Sequence, residues 1–173
     1  MRVVEGTATV ADVDEFVATL GELADEHGCA VQVFDARYVV DRAHLDAAVR
    51  QAARAWERDD AVARDPAVEI LLYAAGRRQI SEALAMGVDE GETPVVAVVV
   101  SDFPAHPFET DDAEAAAAAD LAAIFEKSET LARETDDATV REFFDIGDAE
   151  LAATDATLAD LVCERVALLS INK

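Results

Sequence analysis

Arginine is the residue type best placed to do chemistry in this chain. Arg165 stands inside the apolar stripe of a terminal helical pattern. With Leu158 at the origin of a wheel advancing about 100° per residue, Leu161, Val162 and Leu169 fall within about 60° of it and Arg165 within about 20°. A guanidinium on such a face needs a partner. Either its stem is buried and its head pairs with an internal carboxylate or reaches water, or it opens into a pocket that receives a phosphate, a carboxylate or a base. A second group is Gly76-Arg77-Arg78-Gln79-Ile80. Read as a turn and then a helix start, it sets two cations at the positive end of a helix dipole, which costs about 0.3 kcal/mol or more. A bound anion would reverse that cost; pairing with nearby acids such as Glu69 is the alternative. Arg50, Arg54 and Arg58, four apart, form a third stripe.

Other chemistry finds little support. No GxGxxG or GxxxxGK[ST] run marks a nucleotide cradle. His27, His44 and His106 are isolated, and none is spaced with another histidine or a cysteine for a metal, so no metal site is expected. Ser81 and Ser170 lack a GxSxG elbow. Cys29 and Cys163 have no CxxC context and read as reduced, buried thiols. Acids are too common for a catalytic carboxylate pair to stand out. A non-catalytic protein without a cofactor is the expectation.

The charge frames these arginines. The chain has 173 residues, 37 acids against 14 Lys and Arg, and a formal charge of −23. Only Lys127 and Lys173 are lysines. Acids spread along a chain that is 52% hydrophobic do not describe a disordered tail; they suggest a soluble protein of a high-salt cytoplasm. Between Arg37 and Arg78, eight arginines meet seven acids, so one near-neutral zone sits in an acidic shell. It reads either as arginines paired on a solvated face or as a site for an anionic partner. No apolar stretch is long enough to cross a bilayer, and Met1–Glu5 opens no secretion signal.

The elements that must position the arginines follow from periodicity. Residues 1–173 read as one domain. Arg2–Thr9 and Ala30–Phe34 read as strands, with Tyr38-Val39-Val40 able to extend the second, and Val95–Val100 as the central buried strand. Val13, Phe16, Val17, Leu20 and Leu23 share one face of a helix that ends at His27-Gly28. Asp41 caps a helix carrying Leu45, Ala48, Val49, Ala52 and Trp56, with an Asp46–Arg50 pair available. Glu69–Tyr73 is ambiguous by period, and its length suits a buried strand. Arg77–Met86 reads as a short helix with Ile80, Ala83 and Leu84 inward. Asp111–Lys127 is a helix packing through Leu121, Ile124 and Phe125, Thr139–Phe144 a short helix, and Glu150-Leu151 a turn. Thr157 and Asp160 approach a capping box that opens a long last helix through Leu169. The class is α/β or α+β, with a mixed sheet of about four to five strands.

Several of these runs resemble one family. Glu69-Ile70-Leu71-Leu72-Tyr73-Ala74-Ala75-Gly76-Arg77-Arg78-Gln79-Ile80-Ser81-Glu82-Ala83-Leu84, followed by Gly87-Val88, is similar to the signature of the small tRNA-binding subunit of the archaeal and eukaryotic KEOPS complex. Glu164-Arg165-Val166-Ala167-Leu168-Leu169 with Lys173 is similar to its C-terminal motif, and Phe34–Val40 with His44-Leu45 also fits. The resemblance covers most of the chain but not Asp111–Glu134. It implies a non-catalytic cytoplasmic subunit that binds the kinase-like ATPase of KEOPS. Such a subunit holds the 3′ CCA end of tRNA and meets the other KEOPS subunits indirectly, supporting threonylcarbamoyl-adenosine formation beside the anticodon. It also implies a strand at Glu69–Tyr73. The RNA role carries over to Arg77, Arg78, Gln79, Arg165, Leu168, Leu169 and Lys173; Ile80, Ala83 and Leu84 are the candidate kinase contact. An adaptor without RNA contact is the alternative. An acidic protein of a salty cytoplasm should hold RNA by a few arginines, stacking and desolvated hydrogen bonds, so its affinity should fall little, or even rise, with salt.

Overall fold

A computed structural model describes residues 1–171. In order the elements are β1 (Arg2–Val10), α1 (Val13–His27), β2 (Ala30–Asp35), α2 (Arg42–Glu57), α3 (Pro66–Ala75), α4 (Ile80–Ala83), β3 (Gly91–Val100), α5 (Asp112–Ile124), α6 (Asp137–Phe144), α7 (Asp148–Ala152) and α8 (Leu158–Leu168). Among the described residues the sheet has three strands in the order β1-β3-β2, all antiparallel. The fold is therefore α+β as expected, but the sheet is smaller than the expected four to five strands and is not mixed.

β3 is central because its residues suit two covered faces. Val95–Val100 is fully buried. The two-residue period of a strand sends Val96, Val98 and Val100 into one core with Phe34, Leu45, Val49, Ile70 and Leu72. It sends Val95, Ala97 and Val99 into a second core with Leu20, Leu23, Leu121 and Phe125. Helices α2, α3, α6 and α8 build the first core; α1 and α5 build the second. On the second side Gly6 is required by close approach. A Cβ there would lie 2.6 Å from Cβ of Phe125 and 2.8 Å from the carbonyl oxygen of Glu126.

Glu69–Tyr73 is helical, against both the length argument and the implied strand. Asp65 caps the segment by accepting from the amides of Ala67 and Val68, with Pro66 in the first turn. Gly76 stops it at φ 59°, with the Arg77 amide donating to the Leu72 carbonyl, a Schellman closure. Ten residues between these signals suit a helix better than a strand. Its uniformly apolar surface reflects burial on every side, since β2, α2 and α8 all pack on it. The one acid within it, Glu69, is 1% exposed and accepts from the amides of Val62 (3.1 Å) and Ala63 (2.8 Å).

Other departures are local. Tyr38 closes a 3-10 turn, Ala36–Tyr38, instead of extending β2, because Asp35 accepts from the Arg37 amide and bends the chain. Asp46 lies 3.7 Å from Arg42, not against Arg50, which stacks over Phe108 at 5.1 Å. Val17 and Ile124 are exposed (56% and 40%) although their positions in the pattern pointed inward. α4 is only one turn long, because Leu84–Met86 tightens into a 3-10 turn and Arg77–Gln79 lie before it. Ala83 is fully buried, whereas Ile80 and Leu84 are 45% and 57% exposed. The capping box of Thr157 and Asp160 is present, and α8 runs to Leu168 with turns through Ile171. Both cysteines are free thiols, Cys29 buried and Cys163 half-buried. Among the described residues no helix is long and apolar enough to cross a membrane.

Candidate functional site

The exposed arginine stripe of α2 is the foundation of the site. Leu45, Ala48, Val49 and Ala52 face the core, so 3.6-residue periodicity turns Arg50, Arg54 and Arg58 to solvent. The end of α3 packs beside this stripe. His44 fixes the α2–α3 contact from within: its Nε2 hydrogen-bonds the Ala74 carbonyl at 2.8 Å. The partner is a carbonyl, so this nitrogen carries the proton. Full burial pushes the His44 pKa down.

Arg77 and Arg78 follow the Gly76 turn at the carboxyl end of the ten-residue α3 and precede the one-turn α4, whose N-cap is Gln79. The dipole there favours cations, which reverses the expected local cost. Arg77 is held on three sides. Its guanidinium donates to the Phe143 carbonyl, stands 4.9 Å over the Phe143 ring, and lies 3.9 Å from Glu82. Arg78 donates to the Leu169 carbonyl at 3.1 Å, and Ser170 Oγ lies 3.3 Å from the Gln51 amide oxygen. These two contacts pin the end of α8 to the arginine surface.

The result is a small cleft of about 70 Å³. Its walls include Arg54 from α2 and Arg58 that caps it, Tyr73 from α3, and Arg77, Arg78 and Leu169. Four arginines thus meet two lining carboxylates, Asp60 and Glu69. Glu69 is already taken by two amides, so it is not the partner for Arg77 or Arg78 that the sequence offered. Among the described residues neither Arg54 nor Arg58 forms an ion pair. The cleft therefore offers cationic donors, an aromatic wall and an apolar edge, a combination that can hold a phosphate or stack a base.

Of the residues expected in a binding site, Arg77, Arg78 and Leu169 are brought together here. Gln79 is exposed and outside the cleft, and Leu168 is half-buried beside it. Arg165 points elsewhere. It makes a two-pronged pair with Glu150 (2.8 and 2.9 Å) and donates to the Phe144 and Asp145 carbonyls at 3.3 and 3.4 Å. Its partner is therefore inside the fold, although the side chain keeps 26% exposure. Lys173 lies outside the described residues. Sequence reasoning saw the Arg50–Arg54–Arg58 stripe but did not join it to the tail, and it missed Gln51 and Tyr73. Only the packing of α2 against α3 and α8 makes them neighbours.

Among the described residues no cluster of three or more His, Cys, Asp or Glu could hold a metal ion. No curated protein matches the chain. Residues 9–170, nearly the whole fold including α2, α3 and α8, match the family described as kinase binding protein CGI-121, and the chain belongs to that family.

Proposed function

We propose that this protein is a non-catalytic, cytoplasmic KEOPS subunit that binds the kinase-like ATPase of the complex and holds the unpaired 3′ CCA end of tRNA. In that role it supports threonylcarbamoyl-adenosine formation without performing it. The observation that carries the RNA part is the convergence of Arg54, Arg58, Arg77, Arg78 and Tyr73 with the end of α8 on a chain of charge −23. Arg54 and Arg58, which form no ion pair among the described residues, are the donors this cluster offers to an anionic ligand. The family match supports the kinase part.

The division of labour follows from the contacts. Arg54 and Arg58 are the direct anion donors. The exposed arginine faces give stacking surface for a base, worth about 1–3 kcal/mol for each base stacked. Arg77 and Arg78 shape the cleft, and Arg165 with Glu150 anchors α8 to α7. The Arg165–Glu150 pair is also the observation that favours the second reading, an adaptor for the kinase with no RNA contact.

A binding assay in molar salt, comparing tRNA with and without its CCA end, separates the two. The RNA reading expects CCA-dependent binding that changes little with salt and collapses when Ser170–Lys173 is removed, while kinase binding persists. Equal affinity for both RNAs, or a steep loss with salt, sinks it.

A further inference from the structure

A second feature, away from the arginine cleft, has the form of a strand-accepting groove. β2 is an edge strand and pairs only with β3 among the described residues. α1 covers one side of it and α3 the other. Between them, along Ala30–Val33, runs an open apolar groove of about 660 Å³. Val17 and Leu84, 56% and 57% exposed, stand on its walls. The Gln32 side-chain amide folds onto the Val33 carbonyl at 2.8 Å, a contact that an incoming N–H can replace.

Gly21 leaves the α1 side of the groove open. It sits inside α1, where glycine weakens a helix, and it lines the groove. A Cβ built there meets nothing within 4 Å, so nothing inside the fold requires the glycine. The charged residues lining the groove are Asp25, Asp65 and Asp89, with no lysine or arginine among them. The chemistry complementary to this groove is an extended segment with apolar residues on one side and basic residues at its flanks.

We infer that an extended segment of the kinase partner docks here by adding a strand to the free edge of β2, its alternate side chains entering the apolar groove beside Gly21 and Leu84. The inference rests on the kinase-binding reading and names its surface. It also reassigns the expected contact. Leu84 belongs to the interface, whereas Ala83 is buried and Ile80 lies outside the groove.

The test uses the full chain and the purified kinase-like ATPase of the same organism, in binding assays at high salt with thermal melts in parallel. Gly21→Phe and Leu84→Glu should each weaken kinase binding at least about ten-fold without lowering Tm. Arg133→Glu, which lines neither the groove nor the cleft, should leave it unchanged. Amide exchange should slow across Ala30–Asp35 when the kinase binds. Full affinity in both groove variants, or unslowed exchange in β2 within a formed complex, overturns the groove but leaves the kinase reading standing. A wild-type chain that binds no kinase overturns both. A homodimer broken by Gly21→Phe, with kinase affinity unaffected, would show that a second copy is the occupant and overturn the proposal.

Discussion

The arginine cleft leaves about 70 Å³ between four arginines, a tyrosine and the end of α8, whereas the groove along β2 leaves about 660 Å³ and carries carboxylates as its only charges. A space of the first kind admits the end of a chain: one phosphate or one base, held by guanidinium donors and stacking. A space of the second kind admits a length of chain and gains chiefly by burying apolar surface. The difference teaches how one acidic surface can present two chemically distinct sites. Cations gathered in one place select an anion, and their absence from the groove keeps the same anion out of it.

The largest expected effect that could break this contrast is charge reversal in the cleft. Arg54→Glu with Arg58→Glu should lower tRNA affinity at least about 100-fold, since two charge-assisted contacts at about 1.5–3 kcal/mol each are replaced by repulsion. Kinase affinity should not change. If both affinities fell together, the two regions would be one interface, and the comparison would collapse.

Next in size is Glu69→Ala, which removes the acceptor for two amides beneath the cleft. Unfolding by denaturant should show a loss of about 2–4 kcal/mol, because buried donors left unpaired cost more than an ordinary hydrogen bond contributes. A loss below about 0.5 kcal/mol would mean that the loop before α3 is not held by Glu69. Gly21→Ala should act in the opposite direction, raising stability by up to about 1 kcal/mol through helix propensity alone. A destabilised Gly21→Ala variant would show that the glycine is needed inside the fold.

The smallest effect near neutrality concerns His44, under the α2–α3 contact. Its folded pKa is pushed below the ordinary value of 6.5, so the unfolded chain binds the extra proton. Its contribution to stability is therefore full above pH 6.5 and is lost progressively as the pH falls below it. Melting temperature should decline between pH 7 and 5, and His44→Gln should flatten that decline. An unchanged slope in the variant would place the acid sensitivity elsewhere.

Much of the fold was legible because its signals are local. The caps Asp41 and Thr157, the stop at Gly28 and the β-branched run before Ser101 each act on their own neighbours, and the elements form where those residues stand. Glu69–Tyr73 misled because a segment buried on all sides loses its periodic signature, leaving the Asp65-Pro66 start and the Gly76 stop as the surviving evidence. Arg165 was legible as an arginine needing a partner. That the partner is Glu150, fifteen residues earlier, was not, since no spacing rule links a helix face to the short helix before it.

By itself the sequence determined the acidic surface, the scarcity of lysine, the three strands' apolar runs, the arginine stripe on α2 and the family signature. These properties follow from composition or from interactions reaching no further than a few residues. Tertiary structure alone decided which arginines share a cleft, that Arg165 is paired within the fold, that Leu84 is exposed while Ala83 is buried, and that β2 is an edge strand. Each of those depends on how helices far apart in the chain pack on one sheet, and side-chain packing has no fixed sequence separation.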